Sequence, residues 1–254
     1  AGLPSDPWVL GAWLGDGNTD CARFTCSTED LPHWKCEFDR CGFPIRVVVD
    51  RGTCVQFSIA AKTKGTVGMP RSDSGPFGNA LKALGVRGNK HIPECYMVGS
   101  ADQRMALLRG LMDTDGHCDT RGTASFVNTN RRLAEQAHQL ALSLGIKANW
   151  QERHSQIVNG QSYSVYAVAF CADQEWPPFK LERKAARARP RQASKFRYIR
   201  RIERVESVPV SCIQVAAQDG LYLVGKSLIP THNSSTITFA KTIQDILASH
   251  GDDP

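Results

Sequence analysis

A nine-residue segment occurs twice in this chain, and the repeat limits what the chain can fold into more than any other feature. "VLGAWLGDG" (residues 9–17) and "LRGLMDTDG" (residues 108–116) align without gaps, placing Asp16 against Asp115. Each reads as a helix, apolar along one side and stopped at Asp-Gly, where the glycine supplies a left-handed C-terminal cap. Gly11 and Gly15 share one helix face, as do Gly110 and Thr114. Small residues there let two helices approach closer than the usual ~8–10 Å between axes. If the copies pack on each other, Asp16 and Asp115 emerge side by side at the negative poles of both helices, an unfavourable place for two carboxylates. A divalent cation would resolve the conflict, and oxygen ligands in an incomplete protein shell suit Mg²⁺.

The remaining sequence supplies strands and one further helix. "CARFTCST", "IRVVVD" and "CVQFSIA" read as strands after the first copy; "TASFVNTN", "IKANWQER" and "SYSVYAVAF" do so after the second. "RRLAEQAHQLALSLG" (residues 131–145) reads as an amphipathic helix with a glycine stop. The 254 residues allow one large domain or two modest ones, and no apolar run is long enough to span a membrane. The start, "AGLPSDPWVL", has no initiator Met and no signal-peptide pattern, so the chain reads as cut, the downstream part of a truncated gene product or of a split protein, and the expected location is the cytoplasm. Nine scattered cysteines suit reduced thiols. Cys21, Cys26, Cys36 and Cys41 are spaced too widely for zinc knuckles.

Net charge is +6, but residues 180–204 hold eleven Lys or Arg against two Glu, a local +9 that leaves −3 elsewhere. Arg183, Lys184, Arg187, Arg189 and Arg191 lie in this run, close to Phe196 and Tyr198. Such a run fits contact with nucleic-acid phosphates or a solvated linker.

The paired motifs resemble those of LAGLIDADG homing endonucleases over roughly residues 5–185. That resemblance implies an α+β fold of two pseudo-symmetric αββαββα halves (1–98 and 99–190), with the motif helices as the seam and a curved sheet of each half facing double-stranded DNA. It implies that Asp16 and Asp115 hold Mg²⁺ and activate water for phosphodiester cleavage in a monomer, one strand each. The family places a basic residue near each metal site; Lys62 or Lys64 after a first-half strand is the candidate in the first half and Lys147 in the second, against the plain alternative that surface lysines solubilise or contact phosphate.

From residue 200 onward the texture changes. "RRIERVESVPVSCIQV" and "GLYLVGKSLIP" are rich in Val and Ile and lead into "THNSS". This end resembles the C-terminal splicing segment of an intein of the Hint fold (residues 196–233), followed by a host remnant (234–254) joined in cis. An Asn side-chain amide can attack its own carbonyl and release the next residue. On the resemblance, Asn233 does this, His232 assists proton transfer, and Ser234 is the nucleophile that accepts the upstream segment. Cys212, with Thr231 before His232, resembles an intein class in which that cysteine replaces the N-terminal nucleophile; a small buried thiol is the plain alternative. The remnant resembles the helix after the phosphate-binding loop of phage terminase large subunits. An endonuclease domain that binds DNA without cutting, carried by a self-processing intein, is the alternative function.

Overall fold

The computed structural model describes residues 2–59, 75–156, 162–190, 201–204, 206–209, 213 and 215–232. The chain divides into two units, residues 1–195 and 196–254. The first unit runs α1 (Pro7–Asp16), β1 (Arg23–Ser27), α2 (Leu31–Arg40), β2 (Ile45–Asp50), β3 (Cys54–Ile59), α3 (Pro76–Ala83) and α4 (Glu94–Met97). It continues α5 (Ala101–Thr114), β4 (Gly116–Cys118), β5 (Thr123–Asn128), α6 (Arg131–Ser143), β6 (Asn149–Gln156), β7 (Ser162–Cys171) and α7 (Glu182–Ala185). Among the described residues no helix is long and apolar enough to cross a membrane.

The second half, α5 to α7, follows the expected αββαββα order. The first half departs from it: its opening strand shrinks to one bridge between Gly17 and Phe24, and α4 is added. The two sheets, β1-β3-β2 and β4-β5-β7-β6, nevertheless share an order. Gly17 pairs with Phe24 as Gly116 pairs with Phe126. Phe24 opposes Phe57 where Phe126 opposes Val168. The repeat therefore extends from nine residues to whole half-domains in matching register.

Local signals start the seam helices. The Asp6 carboxylate accepts from the Trp8 and Val9 amides with Pro7 at the first helical turn, and Ser100 with Gln103 forms a capping box on α5. α1 is buried on every side from Trp8 to Leu14, not along one side as its pattern suggested, because α5 covers one flank and the aromatic core the other. In that core Trp8 contacts Trp34 and Phe38, and Phe24 stacks on Phe57. Alternation in β1 and β3 turns Phe24, Cys26, Val55 and Phe57 inward. Cys26 is therefore a core thiol, and burial pushes its pKa up to about 12.

The glycines at the seam act by size. A Cβ on Gly11 would stand 2.2 Å from the Leu107 carbonyl oxygen, and one on Gly110 would stand 2.2 Å from that of Trp8. The expected left-handed caps do not form. Gly17 is extended (φ −72°, ψ 149°), and Gly116 already begins β4. These positions still require glycine, since a Cβ on either would lie 2.3 Å from the carbonyl oxygen of Trp13 or Met112.

In the second unit, β8 (Leu221–Val224) and β9 (Ile229–His232) form an antiparallel hairpin pairing Leu221 with His232 and Val224 with Ile229. The strand expected from residue 201 onward is absent from the described part: residues 201–204 and 206–209 lie in no helix or strand, with Ile202 87% and Val208 69% exposed. β-branched composition favours a strand only where a neighbouring strand supplies a ladder and a covered face.

Candidate active site

The seam brings the two motif aspartates to the same end of the paired helices. Asp16 is the last residue of α1 and Asp115 caps α5. Their carboxyl groups lie close enough to interact directly, and the Asp16 charge acts on Asp115. Burial raises the pKa of both. Asp115 is pushed up to about 6 by burial and by the Asp16 charge, against the Asn128 side-chain amide that donates to it at 2.8 Å and against Lys90 and Lys184.

Two lysines close the helix ends. Lys90 Nζ donates to the carbonyls of Gly15 (2.7 Å) and Gly17 (2.6 Å) and lies 5.2 Å from the Trp13 ring centre. Lys184, 8% exposed, donates from Nζ to the carbonyls of Met112, Asp113 and Thr114 at 3.0, 2.7 and 3.0 Å. Each helix thus ends on an ammonium group, which offsets the negative pole on which the carboxylates sit. Burial lowers both lysine pKa values to about 8, although carboxylates oppose the shift: Asp115 and Asp16 around Lys90, Asp113 and Asp16 around Lys184.

Asp113, 3% exposed, anchors the segment that carries Lys184. Its carboxylate accepts from the Lys180 and Leu181 amides at 2.9 Å each and from Trp8 Nε1 at 2.8 Å. Burial raises its pKa.

The lysines expected at the site differ from those found. Lys62 and Lys64 lie outside the described residues. Lys147 is exposed and lines a cleft with Met105, Asp173 and Trp176. Met105 sits ten residues before Asp115, roughly 15 Å along the helix. Lys90 and Lys184 occupy the site instead, 74 residues after Asp16 and 69 after Asp115. That near-equal offset from each motif was the sequence signal that could have found them.

The basic run also has another use than a phosphate-contacting surface. Arg183 makes a forked pair with Asp30 at 2.7 and 2.6 Å, and Lys180 Nζ reaches Glu37 at 2.8 Å while lying 4.6 Å from the Trp8 ring centre. Arg187 donates to the Cys118 carbonyl at 2.9 Å. The Arg189 backbone pairs with Ala172 and Gln174, and its side chain lies against Gly122. Arg183 and Lys180 clasp the tail of the second half onto α2 of the first and its N-cap, while Lys184, Arg187 and Arg189 tie that tail to the second half itself. Their chemistry is that of DNA contact, but their partners here are protein carboxylates and carbonyls. Arg191 lies outside the described residues.

Breaking this clasp has a defined pH signature. Arg183→Leu leaves Asp30, 7% exposed, without its counter-ion, a loss of about 2–3 kcal/mol. The Arg183 guanidinium, by hydrogen bonding, holds the Asp30 pKa below its usual 3.8. A depressed carboxylate pKa contributes stability above the unfolded value and loses it as pH falls through the folded one. Urea midpoints should therefore separate wild type from Arg183→Leu fully at pH 6 and converge as pH falls below 3.8 through the depressed Asp30 pKa.

The splicing residues are placed only in part. Thr231 lies in β9, its hydroxyl donating to the Ile229 carbonyl at 3.3 Å, and His232 ends that strand. Cys212, Asn233 and Ser234 lie outside the described residues. Among the described residues no three His, Cys, Asp or Glu side chains gather as a metal site.

Residues 102–172 match the LAGLIDADG-like domain family. The chain is 33% identical over 234 residues to the replicative DNA helicase DnaB of Mycobacterium intracellulare, covering 90% of this chain and 35% of the helicase. It is 31% identical over 150 residues to an iron-sulfur cluster assembly SufBD family protein of Mycobacterium leprae (strain TN), covering 55% of this chain and 16% of that protein. The chain thus spans about a third or less of the curated relatives it matches. Mesophilic variants of the homing endonuclease I-DmoI align with a TM-score of 0.42 at 16% identity, over 65% of this chain and 81% of theirs. I-DmoI in complex with DNA and Mn aligns with a TM-score of 0.41 at 16% identity, over 65% of this chain and 88% of its own.

Proposed function

We propose that residues 1–190 form a site-specific, metal-dependent endonuclease that cuts both strands of double-stranded DNA, carried within an intein. The observation that carries this reading is the site itself: two carboxylates, one from each repeat, meet at the seam with one lysine beside each. Carboxylate oxygens suit a hard cation, and burial together with the mutual charge of the pair raises the Asp115 pKa even with Lys90 and Lys184 nearby, which marks a place where a further positive charge would be favourable. Mg²⁺ there would supply Lewis acidity at the scissile phosphate and an activated water. The chain's own groups do the rest. Ionised Asp16 and Asp115 orient the water, and Lys90 and Lys184, with pKa values of about 8, stabilise phosphate charge and exchange protons near neutral pH.

The intein context rests on two separate supports. A helicase and an iron-sulfur assembly protein have unrelated tasks, yet each shares with this chain a segment that is a minor part of its length. A mobile insert gives that pattern, whereas a domain serving either host's own activity does not. The order Thr231, His232, Asn233, Ser234 begins in the last strand of a hairpin whose Leu221, Leu223 and Ile229 are 44%, 53% and 42% exposed, surface that further Hint strands would cover. On this reading Asn233–Ser234 is the downstream splice junction, with Cys212 as the candidate upstream nucleophile. Residues 234–254 begin the continuation of a DNA-handling host, which a terminase large subunit and a replicative DNA helicase both are. The protein acts as a cytoplasmic monomer.

A supercoiled plasmid carrying the uninterrupted host sequence tests the nuclease. Linear product in Mg²⁺ and none in EDTA is the expected result. A gel shift on that sequence with no cleavage in Mg²⁺ would establish the binding-only alternative.

A further inference from the structure

The two lysines at the site are held in place from opposite directions, and neither is held only by its own half. Lys90 belongs to the first half, but its segment docks on α6 of the second. Gln136 brackets Ile92 on both sides, accepting from its amide and donating to its carbonyl at 2.8 Å each. Asn130, the N-cap of α6, donates from Nδ2 to the Lys90 carbonyl at 2.8 Å. Lys184 belongs to the second half, but its segment docks on α2 of the first, through the Arg183–Asp30 fork and the Lys180–Glu37 pair. α2 and α6 are equivalent helices of the two repeats, each lying between the second and third strand positions of its half.

We propose that the halves complete each other's sites: Gln136 and Asn130 of α6 are positioning residues for Lys90, and Asp30 and Glu37 of α2 are positioning residues for Lys184. The inference rests on the nuclease reading for its consequence in cutting, but not for the positioning itself. Polar side chains of α6 aimed at the backbone of residues 90–92 need no such geometry merely to bury Ile92, which is already 1% exposed. A side chain that satisfies both the donor and the acceptor of one residue fixes that residue's orientation as well as its depth. Lys90, two residues upstream, then has its backbone carbonyl fixed by Asn130 and its ammonium directed at the end of α1. The pairing on the other side uses charge in place of amides, yet reaches the same result at the end of α5. Cutting of the two strands should therefore be coupled through α2 and α6, and a change on one half should impair the lysine of the other.

Gln136→Leu keeps the volume and removes both hydrogen bonds. Two readouts follow, one independent of cutting. Acylation of surface amines, quantified by mass spectrometry on the whole chain, should modify Lys90 about tenfold faster in Gln136→Leu while Lys184 stays within about twofold; the tenfold corresponds to one or two lost hydrogen bonds. Asp30→Asn should show the opposite selectivity. On plasmid substrate, Gln136→Leu should accumulate nicked circles with the same strand left uncut as in Lys90→Met, and Asp30→Asn the same strand as in Lys184→Met. Unchanged acylation at Lys90, or equal slowing of both strands, would overturn the proposal, since loss of general stability affects both sites alike. If the wild type cuts no DNA, the nuclease reading fails and the acylation pattern still decides the positioning.

Discussion

Gly110→Ala should leave the protein largely unfolded or cost about 3–5 kcal/mol, most of the reserve of a domain whose total stability is about 5–15 kcal/mol. The new Cβ would lie 2.2 Å from the Trp8 carbonyl oxygen and 2.6 Å from the Ala12 amide nitrogen, both main-chain atoms of α1. Backbone cannot rotate away, so the helices must separate along a seam where Val9, Leu10, Leu107 and Leu111 are fully buried. Gly15→Ala should be milder, because its nearest obstacle at 2.0 Å is the Thr114 hydroxyl, a side chain able to change rotamer. Gly85→Ala provides the scale for conformational strain alone: φ is +64° and nothing lies within 4 Å, for a cost of about 1 kcal/mol. Urea midpoints of the three variants should fall in the order Gly85→Ala, Gly15→Ala, Gly110→Ala from most to least stable. A Gly110→Ala protein within about 1 kcal/mol of wild type would mean that the helices do not meet this closely.

Asp115→Asn should move activity and stability in opposite directions. On the proposed function, loss of this carboxylate should remove several kcal/mol of transition-state stabilisation, about a thousandfold in cutting rate. The same change should stabilise the metal-free protein near pH 8. The Asp115 pKa is raised from 3.8 to about 6, so the folded state binds the proton more tightly than the unfolded state. Below about pH 4 both states are protonated and Asp115 costs nothing; above about pH 6 the full penalty for ionising it applies. Removing that charge returns about 1–3 kcal/mol, or several degrees in Tm. Mg²⁺ should reverse the comparison, raising the wild-type Tm at pH 8 far more than that of Asp115→Asn, and doing so weakly at pH 5 where the carboxyl is protonated. Thermal melts at the two pH values, with and without Mg²⁺, read all four corners of this linkage.

The repeated nonapeptide carried most of the architecture because its consequences are local and steric. Glycines at positions 11 and 110 permit only a close helix pair, and that pair by itself places Asp16 beside Asp115. The strands of the two halves other than β4 were legible as β-rich segments, unlike the one expected from residue 201, and the Gly145 stop of α6 adopts a left-handed conformation (φ +74°). Gly17 was misread because Asp-Gly after a helix signals a cap equally well whether the need is for positive φ or for an absent Cβ. The lysines were hidden for a different reason. Lys62 and Lys147 were sought next to strands, whereas Lys90 and Lys184 arrive on irregular segments whose direction is set by tertiary bonds to Gln136, Asn130, Asp30 and Asp113. Charge density did not disclose the intramolecular partners either. A run with eleven basic residues resembles a phosphate-binding surface, yet Arg183 and Lys180 find their carboxylates on α2, 153 and 143 residues away in sequence.

Mapping the two cut sites on a strand-labelled substrate in Mg²⁺ tests the central claim, that Asp16 and Asp115 form two coupled cutting centres at one seam. Wild type should cut both strands within a few base pairs of each other. Asp16→Asn and Asp115→Asn should each be unable to make a double-strand break, and any residual nicking should fall on opposite strands in the two variants. Double-strand cleavage that survives in either variant at the wild-type rate would contradict the account.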